Sequence, residues 1–207
     1  MNLRLSTLCL TALLALFTGC VSSPKTTVQG HGDAKIWHQQ QAQLSKIDTW
    51  TISGKLGLRS PQQNGSGTLI WAQRGEYFDI LLSGPLGRGA TRLKGHPGAV
   101  TLNASGQGQL SASTPEELAY TQLGWNLPVS NILWWIRGLP VPDIPAQAIL
   151  NDQSHLARLT QDNWNVEYLS YSQQNGFVLP ERLRLTQDEL AITLVVKEWN
   201  AKALGHP

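Results

Sequence analysis

The segment Leu190-Ala191-Ile192-Thr193-Leu194-Val195-Val196 has an apolar side chain at every second position from Leu190 onward. Because successive side chains of a strand point to opposite faces of a sheet, this period of two predicts a strand with one buried face. The same period runs from Trp50 to Leu58, where Gly54 interrupts the apolar face and indicates a bend or a bulge. These two segments predict the buried face of a β-sheet.

Further segments with the strand period surround these two, and residues typical of turns separate them. The predicted strands cover residues 50–59, 67–74, 76–83, 90–94, 99–104, 109–112, 156–160, 164–171, 177–186 and 190–199. Because most of the turns are short, neighbouring strands should pair antiparallel. About ten such strands predict one strongly curved sheet that is closed or nearly closed.

Helical patterns occur at three places in the chain. Asp33 can cap a helix over residues 34–47, and Thr114 can cap a second helix over residues 115–123. Residues 131–137 form a short helix that is apolar on nearly all sides and therefore needs apolar neighbours. The chain is thus predicted to be mainly β, of the α+β class, with helices against the concave side of the sheet.

The N-terminus has the pattern of an export signal. Arg4 precedes an apolar run over residues 5–17, which is too short to cross a bilayer, since a span needs roughly 20 apolar residues. The run ends in Thr18-Gly19-Cys20, which resembles the bacterial lipobox, where the chain is cut before the cysteine and the cysteine is acylated. Val21 follows instead of the aspartate of an inner-membrane retention signal, so the expected location is the outer membrane, facing the periplasm. The alternative is an ordinary secretory signal with an accidental cysteine.

The pattern divides the chain into four parts. Residues 1–19 are the predicted lipoprotein signal peptide of a Gram-negative bacterium, and residues 20–32 are the acylated cysteine with a flexible tether. Residues 33–200 form one β domain, and residues 201–207 are a tail. Of the 2 cysteines, Cys9 would leave with the signal and Cys20 would carry lipid, so the mature chain has no pair for a disulfide.

The composition narrows the class of function. Charged residues make up 14% of the chain, well below the roughly 25% of ordinary soluble proteins, and the 8 tryptophans are an excess. The formal net charge is only +2 and the basic residues are scattered, so nucleic acid is not an expected partner.

The chain carries no motif that predicts catalysis. It has no Gly-x-Ser-x-Gly elbow, no phosphate-binding glycine loop and no histidine pair with the spacing of metal ligands. Asp79 and Glu167 lie within predicted strands, where outward positions are normally polar. We therefore expect no enzyme activity, no cofactor and no metal site.

An excess of apolar and aromatic side chains falls on the predicted concave face. A sheet of this size can fill its interior with them or enclose a ligand cavity, and the pattern alone leaves both possibilities open. The set consists of Trp50, Ile52, Leu56, Leu58, Leu69, Trp71, Phe78, Ile80, Leu82, Trp134, Trp135, Trp164, Ile192 and Leu194.

A predicted hairpin tip carries an apolar residue where polar residues are usual. Leu86 lies between Pro85 and Gly87 in the Gly84 to Gly89 connection. An isolated exposed leucine usually has no function. On a protein tethered to a membrane, however, such a side chain could enter the bilayer or contact an acyl chain.

These features together resemble the LolB family of outer-membrane lipoprotein receptors over nearly the whole mature chain. The resemblance is carried by the lipobox at Cys20, the helix with Trp37, Ser83-Gly84-Pro85-Leu86-Gly87, Ile136-Arg137-Gly138-Leu139-Pro140 and Asn163-Trp164-Asn165-Val166. It implies an incomplete antiparallel β-barrel whose short helices form a lid over a hydrophobic cavity.

The resemblance also implies a function. The chain is expected to accept acylated lipoproteins from the periplasmic carrier LolA, to hold their acyl chains in the cavity and to insert them into the outer membrane. Leu86, with Pro85 and Gly87, would form the loop that promotes membrane insertion. We expect the protein to act as a monomer.

A second hypothesis belongs to another class of protein. It is a structural outer-membrane lipoprotein whose interior is filled and whose tryptophan-rich surface docks an envelope assembly machine. Titration with a hydrophobic dye separates the two hypotheses, because only an open cavity should bind dye near-stoichiometrically in the folded protein.

Overall fold

The computed structural model describes residues 25–84, 89–106, 108–124 and 126–203. The predicted signal peptide, Cys20 and the Pro85-Leu86-Gly87 loop lie outside the described residues.

The described ranges contain twelve strands and three helices, with one helix after the first strand and the other two between the seventh and the eighth strands. The strands are β1 Thr26–Gly30, β2 Ile47–Arg59, β3 Asn64–Arg74, β4 Tyr77–Ser83, β5 Thr91–His96, β6 Ala99–Ala104, β7 Gly108–Ala112, β8 Ala146–Leu150, β9 Leu156–Gln161, β10 Trp164–Gln174, β11 Phe177–Gln187 and β12 Leu190–Ala203. The helices are α1 Ala34–Leu44, α2 Pro115–Leu123 and α3 Val129–Trp135.

All twelve strands belong to one sheet with the order β1-β8-β9-β10-β11-β12-β2-β3-β4-β5-β6-β7. Every pair is antiparallel except β1 with β8, which is parallel. The strands at the two ends, β1 and β7, do not pair with each other, so the sheet stays open. The predicted class, a mainly antiparallel and incompletely closed β fold with short helices, is confirmed.

The two segments with the clearest alternation are neighbours at the centre of the sheet. Leu194 in β12 pairs with Leu56 in β2, and Ile192 pairs with Leu58. A bulge in β12 after Val196 lies opposite Gly54, which confirms the predicted irregularity. A Cβ atom at Gly54 would lie 2.0 Å from a backbone oxygen of the facing strand, so a side chain does not fit there.

The first helix begins where the sequence predicts and ends earlier. The carboxylate of Asp33 accepts hydrogen bonds from the backbone N–H groups of Lys35 and Ile36, at 2.7 and 3.3 Å. The helix ends at Leu44, and Ile47 is the first residue of β2, so the prediction of a helix through residue 47 is wrong at its end. Ile47 is fully buried as a strand residue, because tertiary packing overrides the helical spacing that it shares with Leu44.

Two strands, β1 and β8, were not predicted from the sequence. Residues 26–30, expected to be part of the tether, form β1, and Thr26 pairs with Ala146 at the start of β8. The Thr26–Gly30 segment is mostly polar, so no apolar alternation marks it as a strand. Its parallel partner lies far away in the sequence, so no hairpin turn marks it either. In β8, Ala146, Ala148 and Leu150 are buried while Gln147 is exposed and Ile149 is half-buried, and the small alanine side chains make this alternation weak in the sequence.

The short helix α3 begins at Val129 instead of residue 131, and the last strand continues to residue 203 instead of 199. Among the described helices, none combines the length and the apolar character that a membrane crossing would need.

Candidate functional site

A cavity of about 450 Å³ lies between the concave face of the sheet and the helices α2 and α3. We call it the sheet compartment. The sheet contributes mostly leucines, and the helical segment closes the opposite side. Its apolar wall consists of Leu56, Leu58, Leu69, Trp71, Ile80, Leu82, Leu93, Leu102, Ala104, Ala119, Leu127, Val129, Ile132, Ile192 and Leu194.

A second cavity of about 490 Å³ adjoins the first at Trp71 and Val129. We call it the aromatic compartment, because Trp50, Trp71, Phe78 and Trp134 line it. Polar residues also line it, and they include Ser45, Asp48, Gln73, Glu76, Ser113, Thr114, Ser130 and Arg137. Each compartment lies within the roughly 300–1,000 Å³ that is usual for small-molecule sites.

The structure divides the fourteen predicted concave-face residues into three groups. Eight line the sheet compartment: Leu56, Leu58, Leu69, Trp71, Ile80, Leu82, Ile192 and Leu194. Trp50, Phe78 and Trp134 line the aromatic compartment, together with Trp71. Ile52, Trp135 and Trp164 line neither compartment and are buried in the packed core.

Several wall residues were missed by the sequence analysis. Leu93 in β5 and Leu102 in β6 face the sheet compartment, and their pairing across the two strands follows the same alternation as the neighbouring strands. That period could have identified them. Leu127 and Val129 had no such signal, because Leu127 lies in the connection between α2 and α3 and Val129 is the first residue of α3.

A buried polar network explains why Trp135 belongs to the packed core. Its indole Nε1 donates to Gln161 Oε1 at 3.0 Å, and its carbonyl accepts from the Tyr168 hydroxyl at 2.9 Å. Gln161 Nε2 also donates to the carbonyls of Val141 and Ile144, at 2.9 and 2.8 Å. Gln161 thereby fixes the chain that follows α3, and with it the position of Trp134 at the aromatic compartment.

Arg137 is a buried cation on the wall of the aromatic compartment. Its Nη1 donates to the Ile47 carbonyl at 2.7 Å, and its Nε donates to the Leu133 carbonyl at 3.1 Å. The guanidinium carbon lies 4.7 Å from the centre of the Trp134 ring, a cation–π contact. Burial lowers the pKa of Arg137 to about 10, and Asp48 opposes this shift, so the side chain stays charged at neutral pH.

The acidic strand residues lie on the outer face of the sheet. Asp79 accepts from Arg92 Nε at 2.7 Å, and this bond lowers the pKa of the Asp79 carboxyl. Glu167 forms an ion pair with Arg158 at 3.1 Å. Among the described residues, no group of three or more His, Cys, Asp or Glu side chains is placed to hold a metal ion.

Described residues on both sides of the predicted insertion loop line the sheet compartment. Pro85, Leu86 and Gly87 are outside the described residues, but β4 leads into the loop and β5 leaves it. Leu82 and Gly89, on either side of the loop, both line the sheet compartment.

Comparisons with known proteins agree with one another. The profile of a family described as "Outer membrane lipoprotein LolB" matches residues 48–199. The outer-membrane lipoprotein LolB of Stutzerimonas stutzeri is 54% identical over 198 residues, which cover 95% of each chain. That of Pseudomonas putida is 52% identical over 200 residues, covering 96% of this chain and 98% of the relative.

A solved structure also shares the fold. A LolA superfamily protein from Nitrosomonas europaea superposes with a TM-score of 0.52 at 9% identity, over 80% of this chain and 94% of that one. At this identity the likeness concerns the fold alone.

Proposed function

This chain belongs to the LolB family of outer-membrane lipoproteins, and from that premise we propose that its sheet compartment receives the acyl chains of lipoproteins. The protein is an outer-membrane lipoprotein receptor that acts in lipoprotein localisation and faces the periplasm. It is not an enzyme. A LolA-like carrier and lipoprotein cargo are its partners.

The observation that supports the proposal is the apolar wall of the sheet compartment. Leu56, Leu58, Leu82 and Leu93 are only half-buried, so their side chains still have apolar surface to cover. Each methylene group of an acyl chain gains about 0.8 kcal/mol when it leaves water. A hydrocarbon chain therefore stabilises the half-buried wall, and the wall shields the chain from water.

The proposed transfer needs no nucleotide. Acyl chains do not cross water unescorted, so the carrier passes them directly from its own cavity to this one. The direction follows if the affinity rises from the carrier to this protein and again from this protein to the bilayer. In this proposal, the protein acts as a monomer, because the sheet and the helices of one chain supply the apolar wall of the binding site.

The final step is assigned to the predicted insertion loop between β4 and β5. We propose that Leu86, with Pro85 and Gly87, contacts the membrane and promotes insertion of the cargo, whereas receipt of the cargo depends on the cavity wall. An apolar side chain suits this role because it can enter the hydrocarbon region without the cost of burying a polar group.

A transfer assay tests receipt. The chain with Cys20→Ala is mixed with a LolA-like carrier that is loaded with an acylated lipoprotein, and the location of the cargo is measured. We expect the cargo on this protein. Leu58→Glu should lower receipt by at least about tenfold, since it places a charge in the apolar wall. Thr51→Glu is the matched control, because Thr51 lies on β2 but is exposed. Cargo that remains on the carrier would contradict the proposal.

A second assay tests release. Leu86→Glu should leave receipt from the carrier unchanged but lower delivery of cargo into phospholipid vesicles, because the charged loop no longer enters the bilayer. Wild-type delivery by Leu86→Glu would refute the role of the loop.

A further inference from the structure

The aromatic compartment is lined by a buried cation, Arg137, that forms no ion pair with a carboxylate of the described residues. Arg137 is only 5% exposed. The ion pairs of the described residues involve Arg92 and Arg158, so no carboxylate in these ranges pairs with Arg137. Its two hydrogen bonds to protein carbonyls use two of the five N–H donors of a guanidinium. This buried side chain therefore has donors to spare at the wall of a cavity.

Trp50, which lines the same compartment, carries a second donor without a partner in the described ranges. The indole Nε1 of Trp50 is buried and has no hydrogen-bond acceptor among the described residues, although Trp50 is only 2% exposed. Other buried indoles are satisfied: Trp71 donates to Gln73, and Trp199 donates to the Pro180 carbonyl, both at 3.0 Å. Because an unsatisfied buried donor is costly, the exception at Trp50 points to an acceptor that arrives with a ligand.

The charge on the compartment wall indicates which acceptor fits. Arg137 favours an anion, but Asp48 and Glu76 line the same compartment and disfavour one. A neutral carbonyl oxygen accepts hydrogen bonds without meeting this repulsion. Ester and amide carbonyls have this chemistry, and they are the groups that join acyl chains to glycerol and to an amino group.

We propose that the aromatic compartment binds the polar end of a bound acyl group, with Trp50 Nε1 and Arg137 donating hydrogen bonds to the ester or amide carbonyl. The hydrocarbon tail then lies in the sheet compartment, beyond the junction at Trp71 and Val129. This inference rests on the proposed function and adds an orientation to it. The carbonyl end is recognised by hydrogen bonds, and the tail is held by apolar contact alone.

A pair of ligands that differ in one carbonyl group tests the inference. In 1-lauroylglycerol an ester joins the chain to glycerol, and in 1-O-dodecylglycerol an ether joins a chain of the same number of carbons. Both are titrated against the full mature chain with Cys20→Ala, and displacement of a cavity-bound anilinonaphthalene dye gives each Kd. We expect the ester to bind roughly fivefold more tightly, as one or two net hydrogen bonds would provide.

Two matched substitutions test whether the N–H group of Trp50 causes the preference for the ester over the ether. Trp50→Phe removes an N–H that has no acceptor among the residues that the structure describes, and it should bring the two affinities towards equality. Trp71→Phe removes an N–H that already donates to Gln73, so it should leave the ratio of the affinities unchanged. Arg137 itself is not substituted, because its guanidinium also holds the backbone carbonyls of Ile47 and Leu133.

The outcomes separate this inference from the proposed function. Equal affinities of the wild-type protein for the ester and the ether would overturn the inference without contradicting the proposed acyl cavity. A preference for the ester that survives Trp50→Phe, or that falls equally in Trp50→Phe and Trp71→Phe, would have the same consequence. Laurate, titrated in the same way, replaces the neutral ester by a carboxylate. Tighter binding of laurate than of the ester would contradict the proposal that the compartment binds a neutral carbonyl. If neither glycerol ligand displaces the dye, the proposed acyl cavity fails as well.

Discussion

Strands β9–β11 and strands β2–β4 carry the same alternation of apolar side chains on their concave faces, but the two regions are covered differently. In the first region, Leu159, Leu183 and Leu185 are completely buried. In the second, Leu56 and Leu82 are half-buried and face a cavity. The period of two decides which face of a strand is apolar, and it does not decide whether that face is packed or hollow.

The difference comes from what lies over each region. The end of α3 and the chain after it are held by Gln161, and they bring Ile136 and Leu139 into the packed core. By contrast, α2 packs against β6, β7 and α3, and it spans the cavity instead of filling it. A filled region thus stabilises the fold, while the hollow region remains available to a ligand.

The largest expected effect is on the filled region. Gln161→Leu leaves the Trp135 indole and the backbone groups of Val141 and Ile144 without their partners. The free energy of unfolding should fall by about 4 kcal/mol, as measured by urea denaturation. The exposed Gln147→Ala in β8 is the control and should change it by less than about 0.5 kcal/mol. Similar losses of stability in both variants would show that Gln161 does not hold the end of α3 and the chain after it in place.

A matched pair of truncations compares the two regions directly. Leu183→Ala creates a new cavity in a packed core and should cost about 3 kcal/mol of stability. Leu56→Ala enlarges a space that is already open and should cost about 1 kcal/mol. Urea denaturation of both variants gives the difference. Equal costs would mean that the second region is packed as tightly as the first.

The sequence predicted the strands of both regions because alternation is a local property. Eight of the residues that it assigned to the concave face, from Leu56 to Leu194, line the sheet compartment. It could not separate these from Trp135 and Trp164, because both kinds of residue are apolar and the distinction depends on a cover fixed by Gln161 from a distant strand. Local patterns also could not predict the burial of Arg137, or that Trp50 Nε1 has no acceptor in the described part of the chain, because hydrogen-bond partners depend on the whole fold.

The smallest expected effect is a pH dependence at His155, which directly precedes β9. His155 stacks on Tyr171, with ring centres 4.9 Å apart, and its Nδ1 is buried without a partner in the described ranges. Burial lowers the pKa of His155 below its ordinary value of 6.5, so the unfolded chain takes up the proton first. The stability contribution is therefore complete above the unfolded-state pKa and is lost as the pH falls through the lower folded-state pKa.

His155→Phe tests this effect, because phenylalanine keeps the ring and removes the titration. The urea midpoint of the wild-type protein should fall between about pH 7.5 and about pH 5.5, and that of the variant should fall less. An identical fall in both proteins would assign the pH dependence to other groups.

The contrast between a filled and a hollow region is tested most directly by photocrosslinking. An acylated lipoprotein with a diazirine in its acyl chain is transferred to this protein and irradiated, and the linked residues are mapped by mass spectrometry. Our account predicts cross-links to the walls of β2–β6 and β12, such as Leu56, Leu93 and Leu102. Cross-links confined to the filled region around Leu159, or to the exposed outer face at Ile70, would contradict it.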